Sequence, residues 1–249
     1  MEIKEFIESC VNKAKPLIKA RNLAYWDATT TGNQDSYKKY ERLQKEIEKI
    51  FNNKEEYKLS KKFHNQELKD QLIKRQITLL YHSYLGSQGE ISLIHKIVSK
   101  SAELEQKFNT YRAKINEKEY TDNEIKEILK TEKDSGKLKE AWEANKKQGE
   151  LVAKELIELI KLRYQLAKNL GFKNYYLLSL ELNEQKEQEI IKIYQELDKA
   201  TTPIFKHLKQ EIDGALSQKY KVKELKPWHY QDLFFQEAPE IYNLNLDNY

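Results

Sequence analysis

The sequence predicts an all-α protein, and two observations carry that expectation. Only seven Gly and four Pro occur in 249 residues, so helix breakers are scarce and helices can run long. Apolar residues recur at three- and four-residue spacing along most of the chain, the period that gathers them on one face of a helix. No stretch alternates apolar and polar residues convincingly enough to predict a strand, and no segment repeats at a fixed period.

Taken in order, Ile3, Phe6, Ile7, Cys10, Val11, Ala14 and Ile18 keep the helical period. Pro16 is expected to kink or end that helix, because it lacks the N–H of the backbone ladder. The run "TTTGNQDS" (Thr29–Ser36) reads as a loop, leaving Asp35 or Ser36 to cap a second helix through Tyr37, Tyr40, Leu43, Ile47, Ile50 and Phe51. A further helix through Leu68, Leu72, Ile73, Leu79 and Leu80 should end by Gly86. After "GSQG" (Gly86–Gly89), a stripe runs from Ile91 through Ile94, Ile97, Val98, Leu104 and Phe108 to Ile115. "TDNE" (Thr121–Glu124) is a capping box, in which Thr121 accepts from a first-turn amide and Glu124 reaches back. The strongest helix follows Ser135–Gly136, carries Trp142, Leu151, Val152, Leu156, Leu159, Ile160 and Leu166, and stops at Gly171. The last helix holds Ile190, Tyr194, Leu197, Ile204, Leu208 and Ile212, with Pro203 expected to bend it.

Composition narrows the function classes. Charged residues make up 34% of the chain, yet it carries 3 Trp, 16 Tyr and 8 Phe, more aromatic surface than disordered chains usually hold. Net charge is +4, and the signs alternate finely, as in "KEIEKIF". That pattern suits solvated helix faces rather than a phosphate-binding stripe. The Tyr residues mostly fall in phase with Leu and Ile, and the interspersed acids oppose a polyanion, so no nucleic-acid partner is expected. Cys10 is the single cysteine, which excludes a disulfide within the chain and fits a reducing compartment. The opening "MEIKEFIESC" has no signal-peptide character and no apolar run reaches bilayer length. The expectation is a cytoplasmic protein without a membrane partner.

The residues supply no recognisable catalytic apparatus. The histidines are His64, His82, His95, His207 and His229, and none opens an HExxH, which sets two imidazoles one helical turn apart. His64 with Glu67, and His207 with Glu211, share helix faces, but two ligands do not make a zinc site. No Gly-rich phosphate loop and no Gly-x-Ser-x-Gly elbow is present.

One segment differs from the rest. "LKPWHYQDLFFQEAPEIY" (Leu225–Tyr242) crowds Trp228, Phe234, Phe235 and Tyr242 together. Left bare, these rings would expose several hundred Å² of apolar surface, which monomers usually avoid. Either they pack against elements encoded elsewhere, or the segment folds back over the preceding helices as a cover.

The stretch Lys137–Asn183, with Trp142, the run Leu151–Leu170, Gly171 and Tyr175–Tyr176, resembles a segment of the angiotensin-converting-enzyme-like family of zinc peptidases. The next helix, with Pro203 and then His207, is similar to that family too. So are the N-terminal "ARNLAYWDATTTGNQDSYKKYERLQKEIEKIF" and the segment "KPWHYQDLFFQEAP", the latter also similar to related oligopeptidases. In the family the HExxH helix, the distal Glu ligand and the transition-state-stabilising residues lie beyond such a segment. The resemblance therefore carries no catalytic residue and no metal ligand onto this chain.

What it implies is the N-terminal half of a two-lobed, cleft-containing peptidase. Residues 1–249 would form one helical domain, with lid-like helices over 1–86, a long-helix body over 90–224 and an aromatic lead-out over 225–249. The full-length enzyme would be a zinc metallopeptidase of peptidyl-dipeptidase or oligopeptidase type, acting on short peptides. The chain alone would hold no cofactor and be inactive, its partner being the C-terminal catalytic half of the same protein. Tyr25, Trp26, Trp228, His229 and Tyr230 are the candidates for lining the substrate channel, although each also suits packing and His229 suits it best. The alternative is a helical scaffold without chemistry.

Overall fold

The computed structural model describes residues 2–239 and 241. It is 77% helical and all-α. In chain order the elements are α1 (Ile3–Thr31), α2 (Gln34–Phe51), α3 (Lys54–His64), α4 (Gln71–Gly86) and α5 (Ile91–Asn109). A hairpin follows, β1 (Ala113–Ile115) with β2 (Lys118–Tyr120). Then come α6 (Asp122–Thr131), α7 (Ser135–Asn169), α8 (Tyr175–Leu182), α9 (Glu187–Tyr220) and a 3₁₀ turn, η1 (Pro227–Tyr230).

Several local expectations are corrected. Pro16 does not end the first helix; α1 continues to Thr31, with Ala14 buried before the proline and Ala24 and Ala28 after it. The burial of both halves outweighs one lost ladder bond. Most of Thr29–Ser36 is helical: Gly32 closes α1 at φ 72°, and the α2 cap is Asn33, not Asp35 or Ser36. Asn33 Oδ1 accepts from the N–H groups of Asp35 and Ser36 at 2.9 and 3.1 Å. Leu68 lies outside α4, which Asp70 caps. The stripe drawn to Ile115 breaks at Asn109, and Ile115 belongs to the antiparallel hairpin, whose two turn residues, Asn116 and Glu117, have φ of 47° and 65°. The helices α3 and α8 are further elements that the periodicity left unassigned.

Other expectations hold. The Thr121–Glu124 box is formed, with the Thr121 N–H donating to Glu124 Oε2 at 2.7 Å and the Glu124 N–H to Thr121 Oγ1 at 3.3 Å. Gly171 sits at φ 85° beyond α7, and Phe172 N–H reaches back to the Ala167 carbonyl at 2.9 Å, the reciprocal pattern of a left-handed helix stop.

The chain divides into two compact units. The first holds residues 1–110 and 152–190, and the second holds 111–151 and 191–249. In the first, Phe6, Cys10, Ile77 and Tyr84 are fully buried beside Phe51 and Phe63. The Tyr84 hydroxyl enters this core with its polarity satisfied: it donates to Glu56 Oε2 at 2.6 Å and lies 3.2 Å from Cys10 Sγ, and Lys13 Nζ neutralises Glu56 at 2.6 Å. In the second unit Ile125, Leu129, Leu138 and Leu216 are fully buried around Tyr220 and Leu233.

The aromatic segment folds back on this second core, so the expectation that it awaits partners encoded elsewhere is corrected. Trp228, Tyr230 and Phe235 are half-buried against the core and Leu233 is part of it. Only Phe234 of the named aromatics stands out, at 66% exposure. Tyr242 lies outside the described residues. The reason is local supply: α6, α7 and α9 already present enough apolar surface to receive the rings.

Candidate functional site

Each unit carries one group of the residues singled out by sequence. In the first unit, Tyr25 and Trp26 lie near the C-terminal end of α1. The Tyr25 hydroxyl donates to Glu105 Oε1 at 2.6 Å, and its ring tilts against Tyr40 at 5.1 Å between centroids. That carboxylate, and partial burial, push the Tyr25 phenol up to about 12, so it stays a donor. The Trp26 indole is 72% exposed. Behind it Thr29, Thr30 and Thr31 turn their hydroxyls onto the carbonyls of Tyr25, Trp26 and Asp27 at 2.9, 2.7 and 2.6 Å. These are i−4 back-bonds onto carbonyls that the helix ladder also uses, and they keep the three hydroxyls paired along the helix that carries both aromatics.

In the second unit, Pro227 opens η1 and Gln231 closes it at φ 63°, which sets Trp228, His229 and Tyr230 on one tight turn. His229 is 1% exposed. The Lys226 N–H donates to its Nδ1 at 2.9 Å, which leaves the proton on Nε2 to be given to Ser135 Oγ at 2.8 Å. Ser135 Oγ also accepts from the Trp228 indole N–H at 3.3 Å. Burial, and then the nearby Lys226 ammonium, push the imidazole below its ordinary value, so it is a neutral packing group with both nitrogens engaged.

Tyr230 belongs to a charged triad. Its hydroxyl donates to Asp213 Oδ1 at 2.9 Å and accepts from Lys209 Nζ at 2.8 Å, while Lys209 holds both Asp213 oxygens at 2.6 and 2.7 Å. Lys146 Nζ sits 3.7 Å above the Phe234 ring centroid and donates to the Leu233 carbonyl at 2.8 Å; burial lowers this ammonium. Asp232 turns its carboxylate inward. Burial opposes its charge, but N–H groups of Gln236, Phe234 and Leu233 more than offset that and hold it below the usual range.

Sequence reasoning did not foresee that the two longest helices leave several large apolar side chains facing solvent. On α7, within the first unit, Leu156, Ile157, Ile160 and Tyr164 are exposed. On α9, within the second unit, Tyr194 and Ile204 reach 67% and 72%, with Ile193, Leu197 and Phe205 about half exposed beside them. The periodicity picked out Leu156, Ile160, Tyr194, Leu197 and Ile204 but not Ile157, Tyr164, Ile193 or Phe205, and it carries no sign of whether anything covers them.

Of the two candidate ligand pairs, His207 with Glu211 is in contact. His207 Nε2 lies 3.2 Å from Glu211 Oε1 on exposed α9, and His64 stacks on Tyr81 at 4.5 Å between centroids. Among the described residues no three His, Cys, Asp or Glu side chains are grouped to hold a metal ion.

The model of the angiotensin-converting enzyme peptidase family matches residues 1–229. The chain belongs to that family. The match runs from α1 into η1 and ends at His229, so it covers both units. No curated protein matches the chain. The family uses zinc, and the described residues do not fit it, because two-residue pairs leave a tetrahedral ion without a third protein ligand. Among the described residues no helix is long and apolar enough to cross a membrane.

Proposed function

We propose that this chain is the N-terminal helical portion of a zinc-dependent peptidase of the angiotensin-converting enzyme family that hydrolyses short peptides. The observation that carries the reading is the family match over residues 1–229. In this reading the chain supplies channel wall and lid, and the zinc site belongs to a C-terminal catalytic half. The bare faces of α7 and α9 support it, since each exposes several large apolar side chains that a second half of the protein would cover. Tyr25, Trp26, Trp228 and Tyr230 are the proposed contacts to peptide, with His229 as a support behind the turn.

The experiment compares the 249-residue chain with any longer natural product, measuring bound zinc and chelator-sensitive cleavage of short peptides. The longer product is expected to hold about one zinc per molecule and to cleave, and the 249-residue chain to do neither. Stoichiometric zinc with peptide hydrolysis by the 249-residue chain would overturn the division of roles. A longer product without either would overturn the peptidase reading.

A further inference from the structure

A groove of about 660 Å³ runs along α1 where it faces α4 and the end of α2, wholly within the first unit. Its floor is made of side chains that belong to the core: Cys10 and Ala14 of α1 and Phe51 at the end of α2. Its mouth is made of exposed ones, with Leu23 and Trp26 on one rim and Leu79 on the other. The polar side chains at the mouth include the Lys15 and Lys19 ammoniums, one helical turn apart. Neither is in an ion pair with any described carboxylate, and no acidic residue lines the groove. Size, an apolar floor and a few convergent polar groups are the marks of a small-molecule site.

We propose that this groove binds a small amphiphile with an apolar chain and a carboxylate head, a long-chain carboxylic acid. The chain lies on the Cys10–Ala14–Phe51 floor, and the head meets Lys15 and Lys19 at the mouth. Charge decides the ligand class: an apolar body alone would satisfy the floor, but only an anion uses both free ammoniums, and a cation is repelled by them. Trp26 edges the same mouth, so an occupant would take its indole out of water. The inference does not rest on the peptidase reading.

The test uses the 249-residue chain with dodecanoate, dodecanol and dodecylammonium, three probes that share one tail. Binding is followed calorimetrically and by tryptophan emission, with Trp26→Phe as the control; Trp142 and Trp228 pack in the other unit and should not respond. Dodecanoate is expected to bind and shift the emission to the blue in the wild type but not in Trp26→Phe. It should bind about tenfold more tightly than dodecanol, and Lys15→Ala with Lys19→Ala should remove that preference. Ala14→Phe, which fills the floor, should abolish binding; the lysine variant alters only exposed side chains and decides the matter if Ala14→Phe fails to fold. Equal binding of acid and alcohol, a preference that survives the loss of both lysines, or no binding of dodecanoate each overturns the proposal.

Discussion

Ser135 Oγ lies 2.8 Å from His229 Nε2, joining the first residue of α7 to a turn 94 residues further along the chain. The same oxygen accepts from the Trp228 indole. One hydroxyl thus satisfies two ring N–H donors in a setting where His229 is cut off from water.

Removal of that hydroxyl should therefore cost more than an exposed serine would. Ser135→Ala leaves the His229 and Trp228 donors without their acceptor, a loss of about 1–3 kcal/mol. Ser135→Thr keeps the oxygen and should recover most of it. Urea unfolding followed by tryptophan emission measures both; an alanine variant as stable as wild type would show that water takes the place of Ser135.

Acid should weaken the second unit through His229. Burial depresses its folded-state value, so in the unfolded chain the imidazole takes a proton first as pH falls. Above about pH 6.5 both states hold it neutral and it contributes no pH dependence; below that, stability falls until the folded value is reached. NMR titration of the imidazole gives the folded midpoint, expected below about 6.5. A midpoint at or above that value contradicts the assignment of a neutral packing histidine.

Changes on the bare face of α9 should be nearly free in the 249-residue chain. Ile204→Lys alters a side chain that is 72% exposed, and should change stability by less than about 0.5 kcal/mol while reducing self-association. Leu216→Ala, about three turns along the same helix and fully buried, should lose about 2–5 kcal/mol. Denaturant unfolding and sedimentation separate the two effects. Equal losses would mean that the face is covered in solution.

The sequence by itself determined the helical class, the Thr121–Glu124 cap and the stop at Gly171, because each depends on spacing or backbone freedom within a few residues. It also held the family resemblance, which is spread over most of the chain. The survival of α1 through Pro16 was decided by tertiary structure, since burial of Ala24 and Ala28 beyond the proline holds the helix together. So was the fate of the aromatics. Local pattern tells which residues are apolar, not which surface meets them. Only the packed chain shows Trp228 and Phe235 against the core of the second unit, and Tyr194 and Ile204 in water.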